Sequence, residues 1–373
     1  MQTKMKIGIL TRRAGFNMGS SLQAFAMARF IADAGYNCQI IDYDEYSGHP
    51  LWKVRPMVED LQWGLLKHVP RLSGKYAYLL ARNQQYGRFN AFEEKYLPLT
   101  PTTYRNRRQL ATLAAEYDVL VCGSDQIWSP LLYDPVFFIN FLPAGCSIRT
   151  VAYAPSLGID NAALVGEEQA ALMRKINHIS CREQQGAQII ESITGRKVPV
   201  VLDPTLMVEP AVWNSLTAPV EQLEGERYIL CYFLGSNVHQ SYIDRLKDKL
   251  GCKVVNLQMF NRMNSLQADL QLSDIGPNEF LTLVKMAQWV CTDSFHATIF
   301  SYIFGRQVSV FERFKSTDRQ NQNSRIHTLL EILGLHSSLV KDNEVLIPQA
   351  SNPKNNLSNW KLQSLEFLHN SLK

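Results

Sequence analysis

The chain has 373 residues, of which 46% are hydrophobic and 19% charged, and its formal net charge is +4. Because a single hydrophobic core stops growing at roughly 250–300 residues, this length predicts two domains. No apolar run approaches the roughly 20 residues of a transmembrane helix, which argues against an integral membrane protein. An apolar strand follows the start almost directly, which argues against a signal peptide and favours a cytoplasmic protein.

The cysteines and histidines form no recognisable disulfide or metal pattern. None of the seven cysteines belongs to a CxxC or CxxH pair, and the eight histidines are scattered without metal-site spacing. Several cysteines lie inside apolar runs, where a free thiol behaves as a small hydrophobic group. We therefore expect a reducing compartment, no metal site and no required cofactor.

Strand and helix patterns alternate in the first half of the chain. Apolar runs predict strands, which lie at 6–10, 38–43, 118–122, 150–154 and 178–181. A helix is predicted at 21–34, between the first two strands. Apolar residues occupy both alternating positions of the strands, as expected for a parallel sheet that is buried on both faces.

A basic and aromatic segment interrupts this series. Residues 61–108 contain nine Lys or Arg against Glu93 and Glu94, which is a net charge of +7, so the rest of the chain carries −3. We interpret residues 50–110 as a basic helical insertion. Such a segment can contact an anionic membrane surface or a lipid-linked phosphate, or it can be an ordinary solvated face. No nucleic-acid motif accompanies the charge, so we expect no nucleic-acid partner.

A second alternating series follows a proline-marked stretch near residue 209. Its predicted strands lie at 228–234, 253–256, 289–291 and 308–311. We therefore predict a first α/β domain at residues 1–208 and a second at 209–373, facing a cleft. Ligands of such sheets bind beyond the carboxyl ends of the strands, so the loops there are candidate sites.

Two strand-end loops of the first domain carry clusters of polar residues. The loop that contains Asn17 leads to a helix that contains Gln23, and it matches neither the dinucleotide nor the phosphate-loop pattern. The later loop Gly123-Ser124-Asp125-Gln126 combines a turn-forming glycine with three polar side chains. Asp125 could orient a sugar hydroxyl or act as a base, and helix capping is an equally good alternative.

Arg182 and His296 are the strongest candidates for binding and chemistry. Arg182 follows the strand at 178–181, where it could grip a carboxylate or phosphate, or only pair with Glu183 or Asp203. His296 follows the strand at 289–291 and lies in the first turn of a predicted helix, where free N–H groups attract anions. Histidine can exchange a proton near neutral pH, although capping or core packing is the alternative role.

Five motifs, in this order, resemble the polysaccharide pyruvyl transferase family. They are Asn17-x-Gly19-Ser20-x-Leu22-Gln23-Ala24, Gly123-Ser124-Asp125-Gln126-x-Trp128, Ser180-x-Arg182-Glu183-x-x-Gly186, Leu202-Asp203-Pro204-Thr205-Leu206 and Thr292-Asp293-Ser294-Phe295-His296. The resemblance covers about residues 6–335. It implies two Rossmann-like parallel-sheet domains facing a cleft, similar to glycosyltransferase B.

The resemblance also implies an activity. The family transfers the enolpyruvyl unit of phosphoenolpyruvate onto two hydroxyls of a sugar as a ketal, and phosphate is released. The acceptor is usually a cell-envelope or capsular saccharide, often still lipid-linked. We therefore expect a cytoplasmic transferase with phosphoenolpyruvate and a saccharide as partners, and peripheral contact with the inner face of the membrane through residues 61–108 is a further hypothesis.

The resemblance assigns roles to the strand-end residues. Arg182 and His296 would belong to the donor site, with His296 as general acid or base, and Asp125 would align the hydroxyls or stabilise a cation. Further substrate-binding candidates share these strand ends or their neighbouring helices: Asn17, Gln23, Gly123, Ser124, Gln126, Asp203, Ser294, Phe295 and Arg325. For Arg325 a salt bridge on a helix surface is the alternative role. Many family members have arginine where this chain has Ser294, so one expected positive charge is absent.

Two other functions fit the same pattern. A nucleotide-sugar-dependent glycosyltransferase of the glycosyltransferase B type would use the same cleft, with the second-domain loops holding the nucleotide, although no clear ribose-binding glutamate is recognised in the sequence. A saccharide-binding protein without catalysis is the second alternative, and the presence of both Arg182 and His296 argues against it.

Overall fold

The computed structural model of the chain describes residues 5–13, 17–45, 73–259, 264–315, 318, 321–341 and 357–373, with the side chains of 73–83 left undescribed. The predicted insertion therefore lies partly outside the described residues. Within these ranges, no helix is both long enough and apolar enough to cross a membrane.

The first domain is built on a six-stranded parallel sheet. Its strands are β1 (Lys6–Leu10), β2 (Asn37–Tyr43), β3 (Leu99–Tyr104), β4 (Val119–Cys122), β5 (Arg149–Ala152) and β6 (His178–Ile179). Their order across the sheet is β3-β2-β1-β4-β5-β6. Ile9 of β1 pairs in register with Ile40 and Val121, and all three side chains are fully buried. Burial on both faces explains why the strands are almost continuously apolar.

The second domain repeats this topology with five parallel strands. They are β7 (Tyr228–Tyr232), β8 (Lys253–Leu257), β9 (Leu270–Leu272), β10 (Trp289–Thr292) and β11 (Gln307–Val310), in the order β11-β10-β7-β8-β9. In both sheets the chain starts in the middle, moves to one edge and then crosses to the other side. The chain reversal leaves a crevice beside the first strand of each sheet, at the carboxyl ends. The predicted fold, two Rossmann-like parallel-sheet domains, is confirmed.

Helices cover both sheets. They are α1 (Met18–Asp33), α2 (Ser73–Tyr96), α3 (Arg107–Leu110), α4 (Glu167–Lys175), α5 (Gln184–Thr194), α6 (Pro204–Met207), α7 (Pro210–Ser215), α8 (Gln240–Leu250), α9 (Pro277–Met286), α10 (Phe295–Ile303), α11 (Ser324–Leu333) and α12 (Leu357–Leu372). Asn17 caps α1 and Ser294 caps α10 with their side-chain oxygens. Such caps satisfy free N–H groups in the first turn of a helix, so these two side chains determine where α1 and α10 begin.

The predicted helical insertion at 50–110 is only partly helical. Residues 99–104 form β3, which lies at the edge of the first sheet, and this corrects the prediction. Pro101 lies inside this strand, and an edge strand tolerates the missing N–H of proline. The short, threonine-rich strand was not predicted because the basic residues on either side of it suggested one continuous helical segment.

Helix α2 connects the two domains. Phe89 and Phe92 are buried in the core, and Arg88 forms ion pairs with Asp274 and Glu279 of the second domain. Two aromatic side chains of the segment therefore belong to the core, and one basic side chain pairs with the second domain at the surface. The predicted membrane contact through residues 61–108 stays a prediction.

Helix α12 packs on the first domain, although the predicted boundary placed it in the second. The Oγ of Ser364 accepts a hydrogen bond from the backbone N–H of Leu202 (2.9 Å), and Arg149 donates to the carbonyl of Leu372 (2.6 Å). Leu368 and Leu372 are fully buried. The prediction and the structure differ because the apolar side of α12 packs on the first domain.

Candidate active site

The candidate residues of both domains meet where the carboxyl ends of the two sheets face each other. Asp125 follows β4, Arg182 follows β6 and Asp203 precedes α6, all from the first domain. His296 lies in the first turn of α10 and Arg325 in the first turn of α11, both from the second domain. The parallel topology brings these strand ends together, as the sequence predicted for Arg182 and His296.

Arg182 is the buried cation at the centre of this group. One nitrogen donates to Oδ2 of Asp203 (2.8 Å), another to Oδ1 of Asp125 (3.3 Å), and Nε lies 4.0 Å from Oε2 of Glu183. Its side chain is 1% exposed. Burial would lower the pKa of Arg182, but Asp203, Asp125 and Glu183 raise it above its ordinary value. The guanidinium is therefore firmly charged, and its Nε makes no hydrogen bond.

Phe295 of the second domain covers this guanidinium. The Cζ atom of Arg182 lies 4.1 Å from the centre of the Phe295 ring, a cation–π contact across the domain interface. Arg182 therefore forms the salt bridge with Asp203 that was considered as its alternative role. It also contacts Phe295, which that alternative did not include. Sequence reasoning named Phe295 as a candidate but gave no reason for this contact.

Asp203 holds Arg182 and His296 together. Its Oδ1 accepts from the backbone N–H and the hydroxyl of Thr205, at 3.0 and 2.6 Å. Its Oδ2 contacts Arg182 and lies 3.5 Å from Nε2 of His296. Burial raises the pKa of Asp203, but His296 and Arg182 outweigh it and hold the pKa well below its usual range. The Asp203 side chain is fully buried, so it is placed to position other groups, while the predicted substrate contact stays a prediction.

Asp125 lies in a tight turn that glycine makes possible. Its backbone φ is +63°, and Gly123 has a φ of +138°. A Cβ on Gly123 would lie 1.9 Å from the carbonyl oxygen of Tyr153, so a larger residue has no room. The Asp125 carboxylate accepts from the hydroxyl of Ser20 (2.8 Å) and from Arg182. Burial raises the pKa of Asp125, but the opposite effect of Arg182 and His296 is larger, so the pKa is lowered and the group is an anion.

The other predicted residues of the first domain form the support of this turn. Ser124 is fully buried and donates to the carbonyl of Ala154 (2.8 Å). Gln23 is also fully buried, and its NH₂ group donates to Thr11 and to two backbone carbonyls. Its Oε1 accepts from the N–H of Ser124 (3.3 Å), which ties the β1 loop to the β4 loop. Asn17 caps α1. Substrate contact by these three polar side chains stays a prediction.

His296 is packed between the two domains. Its side chain is 8% exposed, and Nε2 has no hydrogen-bond partner although it lies near Asp203. A Cβ on Gly19 would lie 2.1 Å from Nδ1 of His296, so the imidazole rests directly on the first turn of α1. His296 can therefore take this position only because residue 19 is glycine. Gly19 belongs to the first of the five motifs, but nothing in the sequence explained it.

Substituting Gly19 by alanine is expected to displace the His296 ring. A displacement of about 1 Å from the productive geometry can reduce catalysis by about 100-fold, whereas the overpacking should cost only about 1–3 kcal/mol of stability. Steady-state kinetics with thermal unfolding of the same samples would measure both quantities.

Gly87 provides the matched control for this substitution. It lies in α2, it is exposed, and no heavy atom lies within 4 Å of its added Cβ. Gly87→Ala should keep full activity and gain about 0.5–1 kcal/mol of stability from helix propensity. Equal activity of the two variants would show that the Gly19 contact does not position His296.

Arg325 is buried without an acidic partner. The residue is 6% exposed, and in the described ranges of the chain no carboxylate lies within ion-pairing distance of it. Burial, Arg182 and Arg313 lower the pKa of Arg325 to about 9. The alternative of a salt bridge on a helix surface is therefore wrong in both respects. A buried cation without an ion-pair partner is a candidate for an anion site, and Glu183 and Asp125 offset only part of the lowering of its pKa.

Gln322 is a residue that sequence reasoning missed. Its Oε1 accepts from Nη2 of Arg325 (3.1 Å) and from Nε2 of Gln126 (2.7 Å), so it joins the predicted Gln126 to the predicted Arg325 across the interface. Gln322 lies in an irregular stretch before α11, where no periodicity or motif marks it. In the parts of the chain that the structure describes, no group of three His, Cys, Asp or Glu side chains is arranged to hold a metal ion.

The comparisons with known proteins agree on family and fold. A sequence model of the polysaccharide pyruvyl transferase family matches residues 17–313. No curated protein matches the sequence. A protein from Listeria monocytogenes assigned as a UDP-N-acetylglucosamine 2-epimerase superimposes with a TM-score of 0.50 and 10% identity, covering 96% of this chain and 94% of that one.

Other solved structures also superimpose on most of the chain. The S. aureus MnaA protein, solved with UDP, has a TM-score of 0.50 and 13% identity over 99% of this chain and 98% of its own. The E. coli ADP-heptose heptosyltransferase II has a TM-score of 0.39 and 11% identity over 99% and 98%. At these identities the two similarities with a TM-score of 0.50 show the fold alone, and that fold agrees with the predicted pair of parallel-sheet domains.

Proposed function

Since the chain belongs to the polysaccharide pyruvyl transferase family, we propose that it transfers the enolpyruvyl group of phosphoenolpyruvate to a saccharide. The product would be a ketal on two hydroxyls of a cell-envelope or capsular polysaccharide precursor, with release of phosphate. The observation that carries this proposal is the buried Arg182, which contacts residues of both domains and shares Oδ2 of Asp203 with His296.

The charges of the site suit this donor. Phosphoenolpyruvate carries a carboxylate and a phosphate, and both need cations or N–H donors in a buried site. Arg182 supplies a charge that is already balanced by Asp203 and Asp125. Arg325 supplies a second charge without a carboxylate partner in the described residues. One anionic group of the donor could therefore pair with Arg325.

The proton transfers of ketal formation can be assigned to the polar groups present. C3 of the donor gains a proton, which leaves a cationic centre at C2. Two sugar hydroxyls lose their protons as they bond to C2, and the C2–O bond to phosphate breaks. The two protons lost by the hydroxyls balance the one that C3 gains and the one that the released phosphate takes up. His296 is the group that can give and take these protons, and the ionised Asp125 can stabilise the cation at C2.

The acceptor would bind on the first-domain side. The β1 and β4 loops present Asn17, Asp125 and Gln126 at the same sheet edge. A lipid-linked acceptor would place the protein in the cytoplasm at the inner face of the membrane, with residues 61–108 as the contact segment. We include this location in the proposal because the segment carries a net charge of +7.

Ligand-induced stabilisation is the test of the donor. At a phosphoenolpyruvate concentration of 100 times its Kd, the free energy of unfolding should rise by about 2.7 kcal/mol. Arg182→Lys keeps the charge but loses the forked geometry, so it should lose most of this gain. Thermal unfolding with phosphoenolpyruvate and with UDP-, GDP- and CMP-sugars would measure the difference.

The activity itself is tested by phosphate release. Release from phosphoenolpyruvate that depends on an added saccharide would support the transferase. Stabilisation by a nucleotide sugar, with none by phosphoenolpyruvate, would instead identify a glycosyltransferase. Binding of a saccharide without release of phosphate under any condition would indicate the non-catalytic alternative.

A further inference from the structure

The side chain of Arg325 is held by a neutral group. Its Nη2 donates to Oε1 of Gln322 (3.1 Å) and its Nε to the backbone carbonyl of Gln322 (3.3 Å). Both contacts come from the same residue, three positions earlier in the chain. Neither contact neutralises the guanidinium, so the cation is oriented while its charge stays available.

Gln322 is in turn held from the other domain. Its Oε1 accepts from Nε2 of Gln126, at 2.7 Å, and Gln126 directly follows Asp125. The position of Gln126 depends on Gly158, because a Cβ there would lie 2.2 Å from Nε2 of Gln126. Gln126, Gln322 and Arg325 therefore form a continuous polar chain from one domain to the other.

A second contact fixes the same region. The hydroxyl of Ser324, at the start of α11, donates to the carboxylate of Asp160 in the first domain. The N-terminal end of α11 is thus attached to the first domain at two residues that precede Arg325, namely Gln322 and Ser324. This attachment helps the polar chain to hold Arg325 in place at the domain interface.

We propose that Gln322, anchored by Gln126, is the positioning residue that presents Arg325 to one anionic group of the substrate. This inference rests on the proposed function for the identity of the donor, but the anion subsite itself does not depend on it. The neutral amide is essential to the argument. A carboxylate at position 322 would occupy the same space and would pair with Arg325.

Gln322→Glu is the test. The new carboxylate would accept from Arg325 as an ion pair and would neutralise it, so the Kd for phosphoenolpyruvate should rise about tenfold or more. The unliganded protein should unfold at an equal or higher temperature, because a buried cation gains a partner. A purely structural role of Gln322 would not combine weaker anion binding with undiminished stability.

Two further variants complete the experiment. Gln222→Glu adds the same charge at an exposed position of the segment between the sheets and should leave binding unchanged. Gln126→Leu removes the anchor but not the cation, so the Kd for phosphoenolpyruvate, measured without an acceptor, should rise by about threefold to tenfold. Isothermal titration with phosphoenolpyruvate and, separately, with inorganic phosphate would measure the affinities.

The outcomes separate the two proposals. If the wild type binds phosphoenolpyruvate and Gln322→Glu binds it equally well, the inference is overturned and the proposed function stands. If the wild type binds inorganic phosphate but not phosphoenolpyruvate, and Gln322→Glu loses the phosphate, the subsite stands and the donor was misidentified. Binding of neither anion by the wild type would overturn the subsite.

Discussion

Replacing His296 by asparagine is expected to lower kcat by about 100-fold to 10,000-fold, the range typical for loss of a general acid–base group. Asparagine has no proton to exchange near neutral pH, and its shorter polar side chain fits within the space of the imidazole. Arg182 remains paired with Asp203 in this variant. We therefore expect donor binding and the fold to survive while catalysis is lost.

The measurement is acceptor-dependent phosphate release, with thermal unfolding of the same protein. His327 provides the matched control, because its exposed ring contacts only the surface carboxylate of Glu312 in the described contacts. His327→Asn should keep near wild-type kcat. If His296→Asn retained more than a tenth of the activity, another residue would have to transfer the protons.

Replacing Asp203 by asparagine is expected to have the largest effect on stability. The variant removes the nearest carboxylate of the buried Arg182, and breaking a buried ion pair typically costs about 3–5 kcal/mol. Asparagine can still cap Thr205, so the start of α6 should persist. Urea unfolding would measure the loss. Asp33→Asn, which breaks an exposed pair with Arg29, should cost at most about 0.5 kcal/mol.

The cost of Asp203→Asn should depend on pH. The pKa of Asp203 in the folded protein lies below its ordinary value because His296 and Arg182 outweigh the effect of burial, whereas the unfolded chain titrates near about 3.9. The ionised carboxylate therefore contributes its full stability above about pH 4–5. This contribution is lost as the pH falls through the folded pKa. The wild type and the variant should thus converge in acid, and a constant difference from pH 7 to pH 3 would show that ionised Asp203 is not the cause.

The sequence was informative where local patterns decide the structure. Continuous apolar runs predicted the central strands, and the polar residues before the apolar run at His296 indicated the start of α10. Parallel topology then placed the strand ends together, which is why Arg182 and His296 could be paired from the sequence alone. The family motifs added the order of these elements along the chain.

The sequence was silent where the partner comes from a distant segment. Arg325 begins a helix whose apolar face is formed by Ile326, Leu329, Leu330 and Leu333, and nothing local shows that the first domain also covers the arginine. Gln322 has no pattern because its two contacts are a neighbour in the chain and a residue 196 positions away. The strand β3 was missed because Pro101 and the basic helix before it argued for other structures.

The return of α12 to the first sheet has a consequence for synthesis of the protein. The first domain receives Ser364 and Leu368 from the last stretch of the chain, so this domain cannot be completed while the ribosome is still making the second. The second sheet, at residues 228–310, is continuous in sequence and free to form earlier. At about 5–20 residues per second, the first domain waits on the order of ten seconds for its final helix. The half of the molecule that emerges first is thus the half that is finished last.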